Sequence, residues 1–175
     1  MERDQKILAT KYMFFSFLRW YGPSREHEND LSLLKVLKLI FFTCSISSKY
    51  GDNLLSRGFN FVAMPFGHVE SQVYDLYKEG VFIDIIDTKH ISPNTLSEHI
   101  FVSLDMELRL LIDRSVNDLI SINRNLIYES ASALVNLSHK HSSWINNFNL
   151  AKAHSQYSQP IDNQEIINEE KFYFA

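Results

Sequence analysis

The groups in this 175-residue sequence with chemistry to offer are one cysteine, seven histidines and scattered charged side chains. Nucleophilic catalysis needs a partly exposed, low-pKa thiolate beside a base, and the available pairing is Cys44 with His68 or His139. Cys44 lies between Phe42 and Ile46 in the most apolar stretch of the chain. There a free thiol behaves as a small buried hydrophobe, so Cys44 reads as inert. His139 and His141 are the candidate metal pair, but residues two apart on a helix point about 200° apart. No His-Glu-x-x-His pattern accompanies them, and they read as the close of a helix C-terminus, which favours a cationic imidazole.

The five glycines form neither Gly-x-Gly-x-x-Gly nor Gly-x-x-x-x-Gly-Lys, so no phosphate cradle is written in the chain. Asp84 with Asp87, and Glu169 with Glu170, read as solvated charges rather than acid/base pairs. Arg109, Arg114 and Arg124 are interleaved with Glu107, Asp113 and Asp118, which describes a salt-bridged face rather than a phosphate track. No catalytic residue, metal or cofactor is expected.

Composition narrows the class further. Net charge is −4, which argues against a broad face for nucleic acid. Apolar residues make up 45% and charged residues 22%, ordinary globular usage. A single cysteine permits no internal disulfide and fits a reducing cytoplasm. The segment Ile7–Trp20 is interrupted by Lys11 and Arg19 and lacks a small-residue cleavage pattern, so no signal peptide is expected. No uncharged run reaches the ~18–20 residues of a membrane span. One soluble, cytoplasmic domain over residues 1–175 is the expectation.

The elements that would position these groups are mostly helical. From Asp4 to Trp20, Ile7, Leu8, Tyr12, Phe15 and Leu18 recur at spacings of three and four, and Gly22-Pro23 ends the pattern. Arg25–Asn29 reads as a polar connector. Asp30 is the expected N-cap of the next helix, Leu31–Ile46, whose Lys35, Lys38 and Ser45 leave only a narrow polar stripe. Such a helix belongs in the middle of a bundle, with Leu34, Leu37 and Phe41 as its ridge.

Phe59–Met64 then reads as extended, followed by a Pro65/Gly67 corner and a helix from about Val69 to Lys78 capped by Gly80. Val81–Ile86, β-branched and aromatic, predicts a strand that pairs with Phe59–Met64. Further helices are expected over Leu104–Asn123, Glu129–His139, Trp144–Ala153 and Asp162–Phe172. The last begins with an Asp162/Glu165 capping-box pattern. The fold class is therefore mainly α, with about six to seven helices and a small two-stranded β element.

Four pieces, in order, carry a family resemblance: Leu37-Lys-Leu-Ile-Phe-Phe42, Phe61-Val-Ala-Met-Pro-Phe-Gly-His-Val-Glu-Ser-Gln-Val-Tyr74, Leu137-Ser-His-Lys-His-Ser-Ser-Trp144 and the tail from Ile161 to Phe174. Over roughly Asp30 to Ala175 the chain resembles the SocA-like antitoxin domain, also called Panacea, which has phage-associated GepA-like relatives. It departs from that pattern at His68, where the family's corner glycine is followed by proline.

The resemblance implies a mainly helical domain that neutralises a cognate toxin by direct binding. In one branch such a domain also delivers the toxin to a protease. Regulation of its own operon through DNA is the alternative, and the acidic net charge counts against it. On this reading Phe66, His68, Glu70, Tyr74 and Tyr77 are the candidate partner contacts, because interface energy concentrates in a few aromatic and charged anchors. Phe66 and Tyr74 can equally pack the corner onto the core. Pro65 and Gly67 shape the corner, while His139 and Trp144 read as its buttress, with the indole N–H seeking a buried acceptor.

Overall fold

The computed structural model describes residues 1–22 and 28–174. Most of the connector expected at Arg25–Asn29 lies outside the described residues, as do Pro23 and Ser24.

The chain winds around one central helix, α2 (Leu33–Ser47), buried along nearly its whole length. Its apolar circumference requires this, but Lys35, Lys38 and Ser45 are buried as well. The narrow polar stripe is internal too. Asp30 does not cap α2. The Asp30 carbonyl accepts from Ser32 N–H at 2.7 Å, which turns the chain early, so Ser32 becomes the N-cap and its hydroxyl accepts from Lys35 N–H at 3.4 Å. The Asp30 carboxylate instead takes the Lys35 ammonium at 2.6 Å.

Against this pillar pack α4 (Met106–Ile122), α5 (Ala131–Ser138) and a small sheet. α1 (Arg3–Tyr21) crosses α4 and also meets α3 (Ser71–Lys78). Gly22 closes α1 at φ +117°, its N–H donating to the Leu18 carbonyl. α6 (Ser142–Ala153) and α7 (Asn163–Asn168) lie on the sheet side. Seven α-helices among the described residues make the domain mainly α, as its patterning predicts.

The sheet differs from the expected ribbon. β1 (Phe61–Met64) pairs antiparallel with β2 (Gly67–Glu70), directly across the corner, and with β3 (Gln159–Pro160) on its other edge. The corner is thus the tip of a tight hairpin, and the sheet has three strands. Strand pairing continues through Glu70, so α3 starts at Ser71 rather than Val69.

Val81–Ile86 is not a strand. Phe82, Ile85 and Ile86 point inward while Ile83 and Asp84 face out, a spacing of three and four that belongs to successive turns. Those turns close through Ile83 N–H to the Gly80 carbonyl and Ile85 N–H to the Phe82 carbonyl. The expected tail helix stops at Asn168. Asp162 caps it through Gln164 N–H at 2.9 Å, but Glu165 accepts from Asn147 instead of reaching back to close a capping box. The chain then runs extended, and Tyr173 enters the core with its carbonyl held by Asn123 at 2.7 Å. No helix among the described residues is long and apolar enough to cross a membrane.

Candidate functional site

The hairpin turn Pro65-Phe66 delivers Gly67 at φ +90°, a conformation that glycine adopts without steric cost. Close approach is the second reason for glycine here: a Cβ would sit 2.6 Å from Ser138 Oγ and 3.2 Å from Lys38 Nζ. Gly67→Ala is expected to cost about 2 kcal/mol, combining positive-φ strain with overpacking. Urea unfolding monitored by circular dichroism checks this, and a loss of only a few tenths would mean that Ser138 yields freely.

Gly67 sets down His68 at the centre of a buried polar cluster. His68 Nδ1 is 2.8 Å from Ser138 Oγ, Nε2 is 2.8 Å from Ser143 Oγ, and His68 N–H donates to Ser138 Oγ at 3.1 Å. Ser138 Oγ accepts the backbone N–H, and of the two ring nitrogens one donates to its serine hydroxyl and the other accepts from its own, so both are satisfied in a neutral ring. The imidazole lies flat on Phe41 of α2, with centroids 3.6 Å apart. Burial pushes His68 well below the usual histidine range, and His141 and Lys38 add to that. It is a neutral imidazole. The Lys38 ammonium, also fully buried, donates to the His68 carbonyl, and burial pushes its pKa down to about 7.

Two further buried charge groups flank this centre. Lys6 of α1 donates to Glu70 Oε1 at 2.6 Å and to the Gly58 carbonyl at 2.8 Å, above the ring of Phe59. Glu70 also accepts from Asn60 N–H at 3.0 Å and caps α3 through Val73 N–H at 2.6 Å. Burial lowers the Lys6 pKa despite the opposing pull of Glu70. On the other side, His141 Nδ1 meets Glu169 Oε1 at 3.0 Å, and Glu169 Oε2 accepts from Ser143 N–H at 2.7 Å. Burial opposes ionisation of Glu169, but the bonds from His141 and Ser143 outweigh it and hold the carboxyl below its ordinary value. Glu169 is therefore not the solvated charge its neighbour Glu170 suggests.

The residues expected at a partner surface separate sharply. Phe66, at the hairpin tip, is 60% exposed. Tyr74 and Tyr77 on α3 are half-buried against the core. His68 and Glu70 have no exposed surface and cannot be surface contacts; their side chains are consumed by Ser138, Ser143, Lys6 and α3.

The buttress is built as its residue types predict. Trp144 Nε1–H donates to the Met64 carbonyl at 2.9 Å, and the His139 ring stacks on Trp144 at 3.7 Å. His139 is the C-cap residue of α5, but His141 belongs to the start of α6, so the pair does not share one helix end. Cys44 is buried. Arg109 pairs with Glu98 at 2.7 Å, and the Arg114 guanidinium lies 3.7 Å from the centroid of Tyr50, so neither forms a phosphate track. Asp87 binds the N–H groups of Lys89 and His90 within its own loop, not Asp84.

By distance alone, Ser138 Oγ and His68 could be a hydroxyl nucleophile and its base. Both have no exposed surface, as does His141, so no substrate reaches them in this conformation. Lys6, Lys38, Ser138, Ser143 and Glu169 were not legible as members of one cluster, since they come from distant parts of the chain. The signals that existed were two lysines in an otherwise apolar helix and a glutamate three residues before Val73, the spacing of an N-cap. Among the described residues no group of three or more His, Cys, Asp or Glu could hold a metal ion. Comparison with models of known families, with curated proteins and with solved structures gave no match in any of the three.

Proposed function

We propose that this protein is a non-enzymatic antitoxin that neutralises a cognate toxin by direct protein–protein binding, the exposed hairpin tip at Phe66 serving as one anchor. The observation that carries the reading is the contrast at the corner. His68 and Glu70, the base and acid carried by the corner, are sealed inside, and the group offered to a partner is an aromatic ring 60% exposed on a tightly braced turn. An aromatic side chain presented by rigid backbone loses little entropy on binding, which suits an interface anchor. The four-piece resemblance to SocA-like antitoxin domains supports the same reading.

The test is co-purification with the product of the adjacent gene, together with growth rescue when the two are co-expressed. Phe66→Ala is expected to weaken the complex about tenfold or more, leaving unfolding midpoint and circular dichroism unchanged. A neighbouring product that is neither toxic nor bound would overturn the reading. A salt-dependent complex with the upstream DNA, in the absence of toxin binding, would assign the chain to operon regulation instead.

A further inference from the structure

The geometry points to a second interaction surface, at the start of α4, that accepts a basic amphipathic helix of a protein partner. Val102 is 82% exposed, Met106 73% and Leu110 61%. Met106 and Leu110 are four apart on α4, so their side chains lie one above the other, and Val102 lies ahead of the helix, at the end of the short 3-10 turn Glu98–Phe101. The opposite face of α4 buries Leu108, Leu111, Ile112 and Leu119, so the helix is already satisfied on its core side. The outward Met106/Leu110 row and the exposed Val102 before it have no role in that packing.

The row is held in place rather than loosely displayed. Gln5 of α1 clamps its foot, donating to the Ser103 carbonyl at 2.9 Å and accepting from Asp105 N–H at 2.9 Å. Beside it runs a groove of about 520 Å³ with an apolar floor of Ile7, Leu8 and Ile100.

Charge selects the occupant. Glu2 and Asp4 line the groove, and neither is ion-paired among the described residues. Asp105 and Glu107 flank Met106, and the nearby guanidinium groups are already engaged by carboxylates, Arg57 by Asp52 and Glu107 and Arg109 by Glu98. The rim is therefore acidic around an apolar centre. A second copy of this chain would set acid against acid, an arrangement that like-charge repulsion penalises. A helix with apolar residues at i, i+4 and i+7 and lysine or arginine on its flanks matches both the row and the rim. This surface is separate from the hairpin tip and does not depend on the antitoxin reading.

The probe is a labelled synthetic leucine/lysine amphipathic peptide of about 18 residues, long enough to hold a helix, with a leucine/glutamate peptide as control. The intact protein is expected to bind the basic peptide and not the acidic one, with affinity falling as salt rises. Met106→Ser with Leu110→Ser is expected to weaken binding about tenfold or more, while Tyr157→Ser, an exposed aromatic after α6, leaves it unchanged. Equal binding of both peptides, or full binding by the double variant with native circular dichroism, would overturn the proposal. So would a concentration-dependent dimer in sedimentation that the double variant abolishes, because the row would then belong to a second copy. Failure of toxin co-purification leaves these outcomes untouched, which separates the two readings.

Discussion

Glu70→Gln is expected to destabilise the fold by about 3–5 kcal/mol at neutral pH, the usual consequence of removing one partner of a buried ion pair. Glu70 accepts from Lys6 Nζ and Asn60 N–H through one oxygen and from Val73 N–H through the other. A glutamine must place its NH2 group against one of these donor sets, so at least one helix-cap or lysine contact becomes donor against donor. Lys6 would keep only the Gly58 carbonyl and the face of Phe59.

The sign of the pH dependence follows from Lys6. Its folded pKa already lies below 10.5 because burial exceeds the help from Glu70, and removing Glu70 lowers it further. Between that lowered value and 10.5 the unfolded chain binds a proton that the folded chain does not, so the penalty is full in acid and shrinks as pH rises. Urea unfolding of the variant at about pH 6 and about pH 10 should show the loss diminishing. Lys6→Met combined with Glu70→Gln should lose less than Glu70→Gln alone, since the orphaned charge is gone. A single variant within about 0.5 kcal/mol of the parent, or a loss equal at both pH values, would mean that water relaxes into the site.

What the sequence disclosed and what it hid divide along the range of the interactions. α1, α2 and α4 were legible because their patterns persist over several turns, and burying an apolar face leaves few alternatives. Gly22 and Gly80 were legible as terminators because a chain stop is a local event. Val81–Ile86 was misread because β-branched content reports a preference, and the turns after Gly80 bury Phe82, Ile85 and Ile86 equally well. Asp30 and Ser32 are both competent caps, and only the turn at Asp30 decides between them.

The candidate site was legible only in its local frame. Pro65, Gly67 and Trp144 announce a braced corner. Whether His68 and Glu70 face water depends on Ser138, 70 positions away, and on Lys6, 64 positions away. Glu169 is pulled inside by His141, 28 positions earlier. Residue type gives the appetite of each group for a partner and no indication of where that partner stands.

Lys38 carries the second large effect, and it makes the folded protein more stable as pH rises above neutrality. Its folded pKa is pushed down to about 7 from 10.5 by burial, with the His68 carbonyl as its hydrogen-bond acceptor. Below about pH 7 both states hold the proton and the folded state bears the full cost of a buried cation. Above it the folded chain releases the proton first, and the slope approaches about 1.4 kcal/mol per pH unit until the unfolded lysine titrates.

His68 extends the same trend on the acid side. Its folded pKa is held well below 6.5, so the unfolded chain takes up a proton that the folded chain refuses, and stability falls as pH drops through that window. Lys38→Met exchanges the ammonium for a thioether of similar reach and leaves the His68 carbonyl without its donor, a loss of about 1–3 kcal/mol. The relieved burial cost at neutral pH is larger, about 4 kcal/mol as an upper bound, so the net expectation is stabilisation of about 1–3 kcal/mol near pH 7 and a flatter profile toward pH 10. Paired urea unfolding curves of parent and variant across that range test both. A variant that is destabilised throughout, with the parent's slope intact, would place the alkaline gain on Lys6, Lys35 or Lys171 instead, the other lysines whose pKa burial lowers.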